Sequence, residues 1–332
     1  MTENALAASA AIENFRNMLQ FAKNHICPIG LDVNEDYAKM VQLESNGNGM
    51  RLVAGGIENR PAGVQPGSVD WQMWVIDAVK KLTANENFRG RDIISAIPAS
   101  QVFIDYIKTP QTKDEKGVKL DDAAISKIKQ RLPFEPDNAV IKYIPTEDDN
   151  TVVIATEREK IGRLLAVFEK TNLQIKSIGV WPAALINCYV KFFGRRKADV
   201  QSVVLLLDIG TNCTNVVICR HKNLLFARSI PIGTSRMETI SDDEITKLVT
   251  ELTSYRRQLG LMYRNAQIER LLFISGQTVN KNIYTAIAKQ MELPAHIGEC
   301  LAAVEIPADG EIEGRENQSS WATAFGLSLS QE

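Results

Sequence analysis

A short polar segment follows an apolar strand in the second half of the chain, and its residue types could bind a phosphate group. Residues 203–207 are all apolar and lead directly into a polar turn. The candidate site residues around this turn are Asp208, Gly210, Thr211, Asn212 and Thr214. A carboxylate and backbone N–H groups presented at one tight turn are what a magnesium-bound phosphate requires. The alternative is an ordinary hairpin whose turn binds nothing.

A weaker copy of the same pattern occurs near the start of the chain. An apolar strand over residues 28–33 contains Asp32, and further strands are predicted over residues 38–43 and 50–55. The second unit continues in the same way, with strands predicted over residues 216–219 and 224–230. Two such units suggest a duplicated fold rather than two coincidences. Duplicated units that direct two Asp-bearing loops at one cleft are typical of the actin-like ATPase architecture.

The composition excludes several classes of function. The 332 residues are 45% hydrophobic and 23% charged, which is typical of a globular protein. The net charge of −2 gives no electrostatic footprint for nucleic acid, so we expect no nucleic-acid partner. No segment has the ~20 consecutive apolar residues of a membrane span. The N-terminus also lacks the features of a signal peptide, so we expect no transmembrane segment.

The cysteine and histidine residues predict neither a metal site nor a disulfide framework. The five cysteines are widely spaced without a C-x-x-C pair, and the three histidines are scattered. The chain also has no P-loop and no G-x-G-x-x-G motif. A nucleotide, if one binds, must therefore use the two Asp loops.

One local cluster of positive charge stands apart from the balanced composition. Residues 191–197 read KFFGRRK, directly after a predicted helix. Such a cluster is either a solvated helix end or a contact for membrane headgroups.

The alternation of predicted strands and helices gives a domain organisation. We predict an N-terminal amphipathic helix or arm over residues 1–27 and a first domain over residues 28–98 and 179–200. The closing helix within residues 319–332 joins this first domain. An α+β subdomain over residues 99–178 is inserted into it. A second domain over residues 201–318 has a reduced outer subdomain around residues 234–268.

From about residue 28 to the C-terminus, the sequence resembles the PilM family, the actin-like assembly proteins of type IV pili. The segments IGLDV, SAIPASQVFI, LPFEPDNAVIKY and LLLDIGTNCTNVVI occur in the family's order. LPFEPDNAVIKY discriminates best, because sugar kinases and heat-shock chaperones have nothing similar. The cell-division protein FtsA and the cytoplasmic part of the secretion protein GspL are near relatives. The resemblance implies an α/β, actin-like (duplicated ribonuclease-H-like) two-domain fold with the inserted subdomain.

The resemblance also implies an ATP site, which would take ATP and magnesium if it is retained. The implied binding residues are Asp32, Asp208, Gly210, Thr211, Asn212, Thr214 and Gly276. The first loop departs from the family because Glu35 and Asp36 stand where the phosphates belong. Like charges at ~4 Å cost about 1 kcal/mol in water and about 4 kcal/mol at an effective dielectric of 20. The alternative is that these two carboxylates recruit extra magnesium.

Three further departures concern the same cleft. Trp181 replaces the acid that positions the attacking water, and Gln277 replaces the second glycine of the adenosine loop. Gly233 and Asp242 are only nine positions apart, too few for the family's helical stretch that helps form the purine pocket. We therefore expect a vestigial or weak ATP site, with no cofactor and no catalytic residues.

For function, the resemblance implies a scaffold of a type IV pilus or type II secretion inner-membrane platform. Its expected partner is the N-terminal segment of a PilN-like membrane protein, docked in a groove between the first domain and the insert. The pilus assembly ATPase and further copies of the chain are additional candidates. We expect a cytoplasmic protein held peripherally at the inner membrane by this partner. The alternative is an active, ATP-hydrolysing actin-like protein, whereas an actin-fold sugar kinase would need a catalytic Asp and a sugar-binding segment that we do not find.

Overall fold

The structure, a computed structural model, describes residues 25–45, 47, 49–85, 87–108, 112–114, 117–119, 122–237, 242–275, 279–307 and 320–330. The strands are β1 (His25–Ile26), β2 (Ile29–Val33), β3 (Tyr37–Ser45), β4 (Met50–Asn59), β5 (Asp92–Ile97), β6 (Phe103–Lys108), β7 (Thr112–Asp114), β8 (Gly117–Lys119), β9 (Ala139–Pro145), β10 (Asn150–Glu157), β11 (Gln174–Val180), β12 (Val203–Ile209), β13 (Thr214–Arg220), β14 (Asn223–Ile230), β15 (Ile268–Phe273) and β16 (Ala295–Ile297). The helices are α1 (Val69–Asn85), α2 (Asp122–Arg131), α3 (Arg158–Glu169), α4 (Trp181–Phe192), α5 (Lys197–Gln201), α6 (Thr234–Met237), α7 (Asp242–Met262), α8 (Lys281–Met291) and α9 (Ala322–Ser328).

Two sheets repeat one strand order. The first sheet runs β4–β3–β2–β5–β11, with β1 added beside β3, and the second runs β14–β13–β12–β15–β16. In each sheet three antiparallel strands continue into two parallel ones. The central strands β2 and β12 are buried along their whole length, which explains why they read as nearly unbroken apolar runs. The duplication inferred from the sequence is therefore present.

Helices cover both faces of the first sheet. On one face, α1 and α3 bury Trp71, Val75 and Phe168 against β2 and β3. On the other face, α4 and the closing helix α9 pack against β5. The contact between these two helices is so close that a Cβ atom at Gly326 would lie 1.8 Å from the Ala184 carbonyl oxygen. Gly326 therefore tolerates no side chain, and the closing helix α9 lies directly against the backbone of α4.

Helix α4 also connects the two halves of the molecule. Its residues Leu185, Cys188 and Tyr189 are buried in the large apolar cluster that includes the second sheet. In the same cluster, α7 and α8 bury Leu252 and Ile287. Among the described helices, none is both long and apolar enough to cross a lipid bilayer.

The insert forms a sheet of its own, in the order β6–β10–β9. Helix α2 packs on this sheet, with Ile128 of the helix in one apolar cluster with Val153 of β10. Its predicted end at residue 178 is wrong, because β11 pairs in parallel with β5 in the first sheet. Helix α3 likewise packs in the core of the first domain. A helix followed by a strand has the same local pattern whichever sheet it joins, so only the tertiary pairing sets this boundary.

The insert also contacts the second domain. The Tyr106 hydroxyl donates to the carbonyl oxygen of Ala227 at 2.7 Å and accepts from its backbone nitrogen at 2.6 Å. The Tyr106 ring stacks on Phe226 with 4.9 Å between centroids. An ion pair joins Glu147 to Arg220 nearby. The insert is therefore docked on the second domain.

Two sequence-based expectations lie largely or wholly outside the described residues. The predicted N-terminal helix falls mostly within residues 1–24, and the described residues His25 and Ile26 form strand β1 instead. Gly276, the implied adenosine-loop residue, also lies outside the described residues.

Candidate functional site

The two aspartates predicted to share a cleft are both placed near the carboxyl ends of equivalent strands. Asp32 lies in β2 and Asp208 in β12, each followed by one last strand residue before the turn. Their exposed fractions are 8% and 6%, so both carboxyl groups are buried. The two are close enough that the charge of Asp208 raises the pKa of Asp32. The structure therefore brings the two predicted loops together.

A lysine that the sequence analysis did not single out lies between these loops. Lys39 is directly opposite Asp32 in the β2–β3 register and has an exposed fraction of 0%. Residues directly opposite on antiparallel strands place their side chains on the same face of the sheet. The ammonium group of Lys39 interacts electrostatically with both Asp32 and Asp208. The cleft thus holds two carboxylates and an ammonium group that belongs to the chain itself.

Aromatic rings and the segment before α9 enclose this ammonium group. The Lys39 nitrogen lies 4.1 Å from the centroid of Tyr37 and 4.7 Å from that of Trp321. Cation–π attraction strengthens when the cation is desolvated, as it is here. Lys39 also donates a hydrogen bond to the backbone carbonyl of Ser320. We call Asp32, Lys39 and Asp208 the charge cluster.

One hydrogen bond and one unsatisfied atom describe the carboxylates of the charge cluster. The Tyr37 hydroxyl donates to Asp32 Oδ2 at 3.2 Å. The side chains of Ser320 and Asn215 lie near Asp208 and oppose the increase in its pKa. One carboxylate oxygen of Asp208, Oδ1, is buried with no hydrogen-bond partner among the described residues. The cluster therefore leaves one buried acceptor unsatisfied.

Burial shifts the pKa values of all three groups toward their neutral forms. It raises the pKa of Asp32 from 3.8 to about 6, with Asp208 adding to the increase and Lys39 and Tyr37 opposing it. Burial also raises the pKa of Asp208, against the hydrogen bond from Ser320 and the charge of Lys39. It lowers the pKa of Lys39 to about 8, although the two carboxylates limit the decrease. Each carboxylate favours the charged form of Lys39, and the ammonium group in turn favours the charged forms of Asp32 and Asp208.

The raised pKa of Asp32 predicts a pH-dependent stability. A carboxyl group whose pKa is higher in the folded protein contributes stability below its unfolded pKa and loses it as the pH rises through the folded value of about 6. Relative to the Asp32→Asn variant, the wild-type free energy of unfolding should therefore decrease by on the order of 2 kcal/mol between about pH 4 and pH 7. Urea unfolding of both proteins across this range measures the difference. A constant difference would contradict the assignment.

The two predicted loops are also joined directly at the mouth of the cleft. The Asn212 amide Nδ2 donates to both carboxylate oxygens of Asp36, at 2.9 and 2.8 Å. Asp36 is further paired with Arg60, 3.7 Å away. Ser235 Oγ donates to Asn212 Oδ1 at 3.3 Å. We call the Asp36–Asn212 pair the clasp, because it connects the first-domain loop to the second-domain loop.

The other predicted residues of the second loop are engaged within the protein. The Gly210 nitrogen donates to the Cys213 carbonyl at 2.9 Å, and the Thr214 hydroxyl donates to the Ile232 carbonyl at 2.7 Å. Thr211 has an exposed side chain, but its carbonyl accepts a hydrogen bond from the next segment. That segment lies so close that a Cβ atom at Gly233 would be 2.3 Å from the Thr211 carbonyl oxygen.

Trp181 takes no part in the charge cluster. It is the first residue of α4, is 3% exposed and packs in the large apolar cluster. Its indole Nε1 has no hydrogen-bond partner among the described residues. Within the described part of the chain, no three or more His, Cys, Asp and Glu side chains are grouped so that they could hold a metal ion.

A sequence signal for Lys39 does exist. The alternation within β3 places Lys39 on the same face as Val41 and Leu43, and both of these are fully buried. A lysine on the apolar face of a predicted strand, seven residues after an aspartate and across a tight turn, could have been paired with that aspartate. The clasp had no comparable signal, because it joins residues from two separate domains.

Comparison with known proteins gives the family. The family model described as type IV pilus assembly protein PilM matches residues 30–251, more than half of the chain. No curated protein matches the sequence. Among solved structures, a PilM–PilN type IV pilus biogenesis complex is similar with a TM-score of 0.71 at 19% identity, covering 91% of this chain and 97% of that chain.

Two further solved structures are more distant. A protein with an actin-like ATPase fold from Bacteroides thetaiotaomicron has a TM-score of 0.46 at 9% identity, covering 86% of this chain and 94% of that chain. The cytoplasmic domain of EpsL, from the type II secretion system of Vibrio cholerae, has a TM-score of 0.46 at 8% identity, with 92% and 95% covered. The predicted α/β actin-like fold is confirmed. The chain belongs to the family of type IV pilus assembly proteins named PilM.

Proposed function

We propose that this PilM-family protein is a scaffold of a pilus inner-membrane platform that binds a PilN-like partner and does not hydrolyse ATP. The similar solved structure is a complex of PilM with PilN, which supports a partner of that kind for this chain. The charge cluster supports the second part of the proposal, the absence of ATP hydrolysis. Lys39 supplies, from within the chain, the positive charge that a bound magnesium ion would supply in an ATPase.

The residues of the cleft do not fit ATP and magnesium. The ammonium group of Lys39 already offsets part of the charge of Asp32 and Asp208, so a magnesium ion would gain less from these two carboxylates than it would in the absence of the lysine. Glu35 and Asp36 add negative charge where the phosphates would lie. The clasp holds together the two loops that would have to cradle those phosphates.

One observation favours the alternative, an ATP-hydrolysing protein. The buried, unpartnered Oδ1 atom of Asp208 leaves one acceptor that a cation could use. Magnesium-dependent turnover that requires Asp208 would support this alternative.

Within the described residues, strand β9 is a free edge of the insert's sheet and offers a docking place for the partner segment. In the order β6–β10–β9, β6 lies toward the second domain, so β9 is the edge on the opposite side. Val140 and Lys142 on β9 are exposed, whereas Ile141 and Tyr143 pack toward α2. An extended peptide that adds to such an edge gains affinity from backbone pairing and specificity from alternate side chains. We place the PilN-like segment at this edge, within the groove between the first domain and the insert.

The binding test uses a synthetic peptide of the cytoplasmic N-terminal segment of the PilN-like protein from the same genome. The peptide should bind at micromolar strength or better by calorimetry, with equal affinity in the presence and absence of ATP and magnesium. The Val140→Glu variant should bind at least about tenfold more weakly, a loss of about 1.4 kcal/mol.

The matched control is Val69→Glu, which places the same charge at a 70% exposed valine on α1. It should bind the peptide as the wild type does. Unchanged affinity in Val140→Glu would place the partner elsewhere. Affinity that depends on ATP would contradict the proposed independence from nucleotide.

Through this partner we expect the protein to lie peripherally on the cytoplasmic side of the inner membrane. The pilus assembly ATPase and further copies of the chain are additional proposed partners.

A further inference from the structure

A cavity of about 400 Å³ lies beside the second sheet, separate from the charge cluster. Its lining includes Arg195, Arg196, Asp199, Arg270, His296 and Ile297, and we call it the basic cleft. Arg270 pairs with Val204 in the β15–β12 register, near the start of β12, whereas Asp208 is near the end of that strand. None of the residues of the predicted nucleotide site lines this cavity.

The single lining carboxylate is already fully engaged. Asp199 Oδ1 pairs with the guanidinium group of Arg270 at 2.8 Å, and Asp199 Oδ2 accepts the backbone N–H of Arg196 at 2.9 Å. Arg270 in turn donates to the Tyr189 hydroxyl at 2.9 Å. Both contacts use Nη2 of Arg270, and its Nε is buried with no hydrogen-bond partner among the described residues. Asp199 and Tyr189 thus fix the guanidinium group of Arg270 at the wall of the cavity, with one buried N–H donor left unsatisfied.

The charges of the two other arginines are not neutralised by an ion pair within the described chain. Arg195 and Arg196 are exposed, and neither has an ion pair within 4.0 Å to any carboxylate in the described ranges. Three lining arginines against one lining aspartate leave the basic cleft with an excess of positive charge. An adjoining cavity shares Arg195 and adds Lys191 together with the carboxylate of Glu305, so its two cations still outnumber its one acid.

Apolar side chains border these charges. Phe192 and Phe193 line the basic cleft together with Ile297, which is 41% exposed, and Val200 on α5 is 39% exposed. A surface that presents arginine forks beside exposed apolar side chains is suited to a ligand with an anionic group and an apolar part. Asp199 and Tyr189 hold Arg270 at the cavity wall beside two exposed arginines, an arrangement that a solvated helix end alone does not require.

We propose that the basic cleft binds a phosphate group, carried by an anionic phospholipid headgroup or by a soluble phosphate ester. Guanidinium groups offer paired N–H donors that match phosphate oxygens, and charge assistance strengthens these hydrogen bonds. Arg195 and Arg196 supply the uncompensated charge, and Arg270 supplies a positioned donor. This proposal depends on the residues of the basic cleft and not on the proposed peptide partner.

The test uses the full chain and two probes. Co-sedimentation with vesicles of equal parts phosphatidylcholine and phosphatidylglycerol is compared with vesicles of phosphatidylcholine alone. Calorimetry with glycerol 3-phosphate tests the soluble source. If the protein binds the anionic vesicles, the double variant Arg195→Ala/Arg196→Ala should bind them on the order of thirtyfold more weakly. Each basic residue near such a surface contributes about 1 kcal/mol.

A second double variant, Lys127→Ala/Lys129→Ala, removes the same net charge from exposed positions of α2. It should bind both probes as the wild type does. Loss confined to the anionic vesicles identifies the lipid source, and loss confined to glycerol 3-phosphate identifies the soluble source. The proposal is overturned if the wild type binds neither probe, or if the two double variants lose affinity equally.

Discussion

Replacing Lys39 with methionine should destabilise the protein by about 3–5 kcal/mol, measured as the free energy of unfolding in urea at neutral pH. Methionine retains the unbranched apolar stem, so the main change is the loss of the ammonium group. Asp32 and Asp208 then remain buried without the positive charge that offsets their desolvation. A loss of this size is a large part of the total stability of a typical domain, about 5–15 kcal/mol.

Two further variants separate this charge effect from packing. Lys247→Met breaks an exposed ion pair, with a 64% exposed lysine 2.6 Å from Glu244, and should cost less than about 1 kcal/mol. The double variant Asp32→Asn/Lys39→Met removes one buried carboxylate together with the ammonium group. It should therefore be more stable than Lys39→Met alone, because the two sites are in contact and their effects do not add. If Lys39→Met costs no more than Lys247→Met, the charge cluster does not stabilise the fold.

The purified protein should hydrolyse ATP no faster than the buffer background, and titration with ATP and magnesium should give no heat of binding. The carboxylates of Glu35 and Asp36 would weaken phosphate binding by several kcal/mol, which corresponds to on the order of a thousandfold in affinity. The substitutions Glu35→Gln and Asp36→Asn should not restore turnover, because Lys39 still occupies the cleft and Trp181 still replaces the acid.

The Asp208→Asn variant is the control for this measurement. Hydrolysis that persists unchanged in that variant comes from a contaminating enzyme. Magnesium-dependent hydrolysis in the wild type that disappears in Asp208→Asn would refute the proposal and establish the ATP-hydrolysing alternative. Restored turnover in the Glu35→Gln/Asp36→Asn variant would show that the first loop alone had inactivated the site.

The amino-acid sequence was sufficient to locate the two strand units together with Asp32 and Asp208. Strand alternation, apolar runs and turn residues are local properties, and the two units follow from residues adjacent in the chain. The actin-like fold was implied by the resemblance of these segments to the PilM family. The last helix and strand within the predicted insert, α3 and β11, are present but belong to the first domain.

The contacts between these elements depend on how the chain folds in three dimensions. Whether β11 joins the insert or the first sheet depends on a free strand edge of β5, which no local pattern encodes. The clasp joins Asp36 to Asn212 across two domains, and the enclosure of Lys39 needs Trp321 from the far end of the chain. The charge cluster exists because folding removes water from three ionisable groups at once. This loss of water occurs only in the folded cleft. The sequence therefore shows which ionisable residues are present, but not which groups they contact.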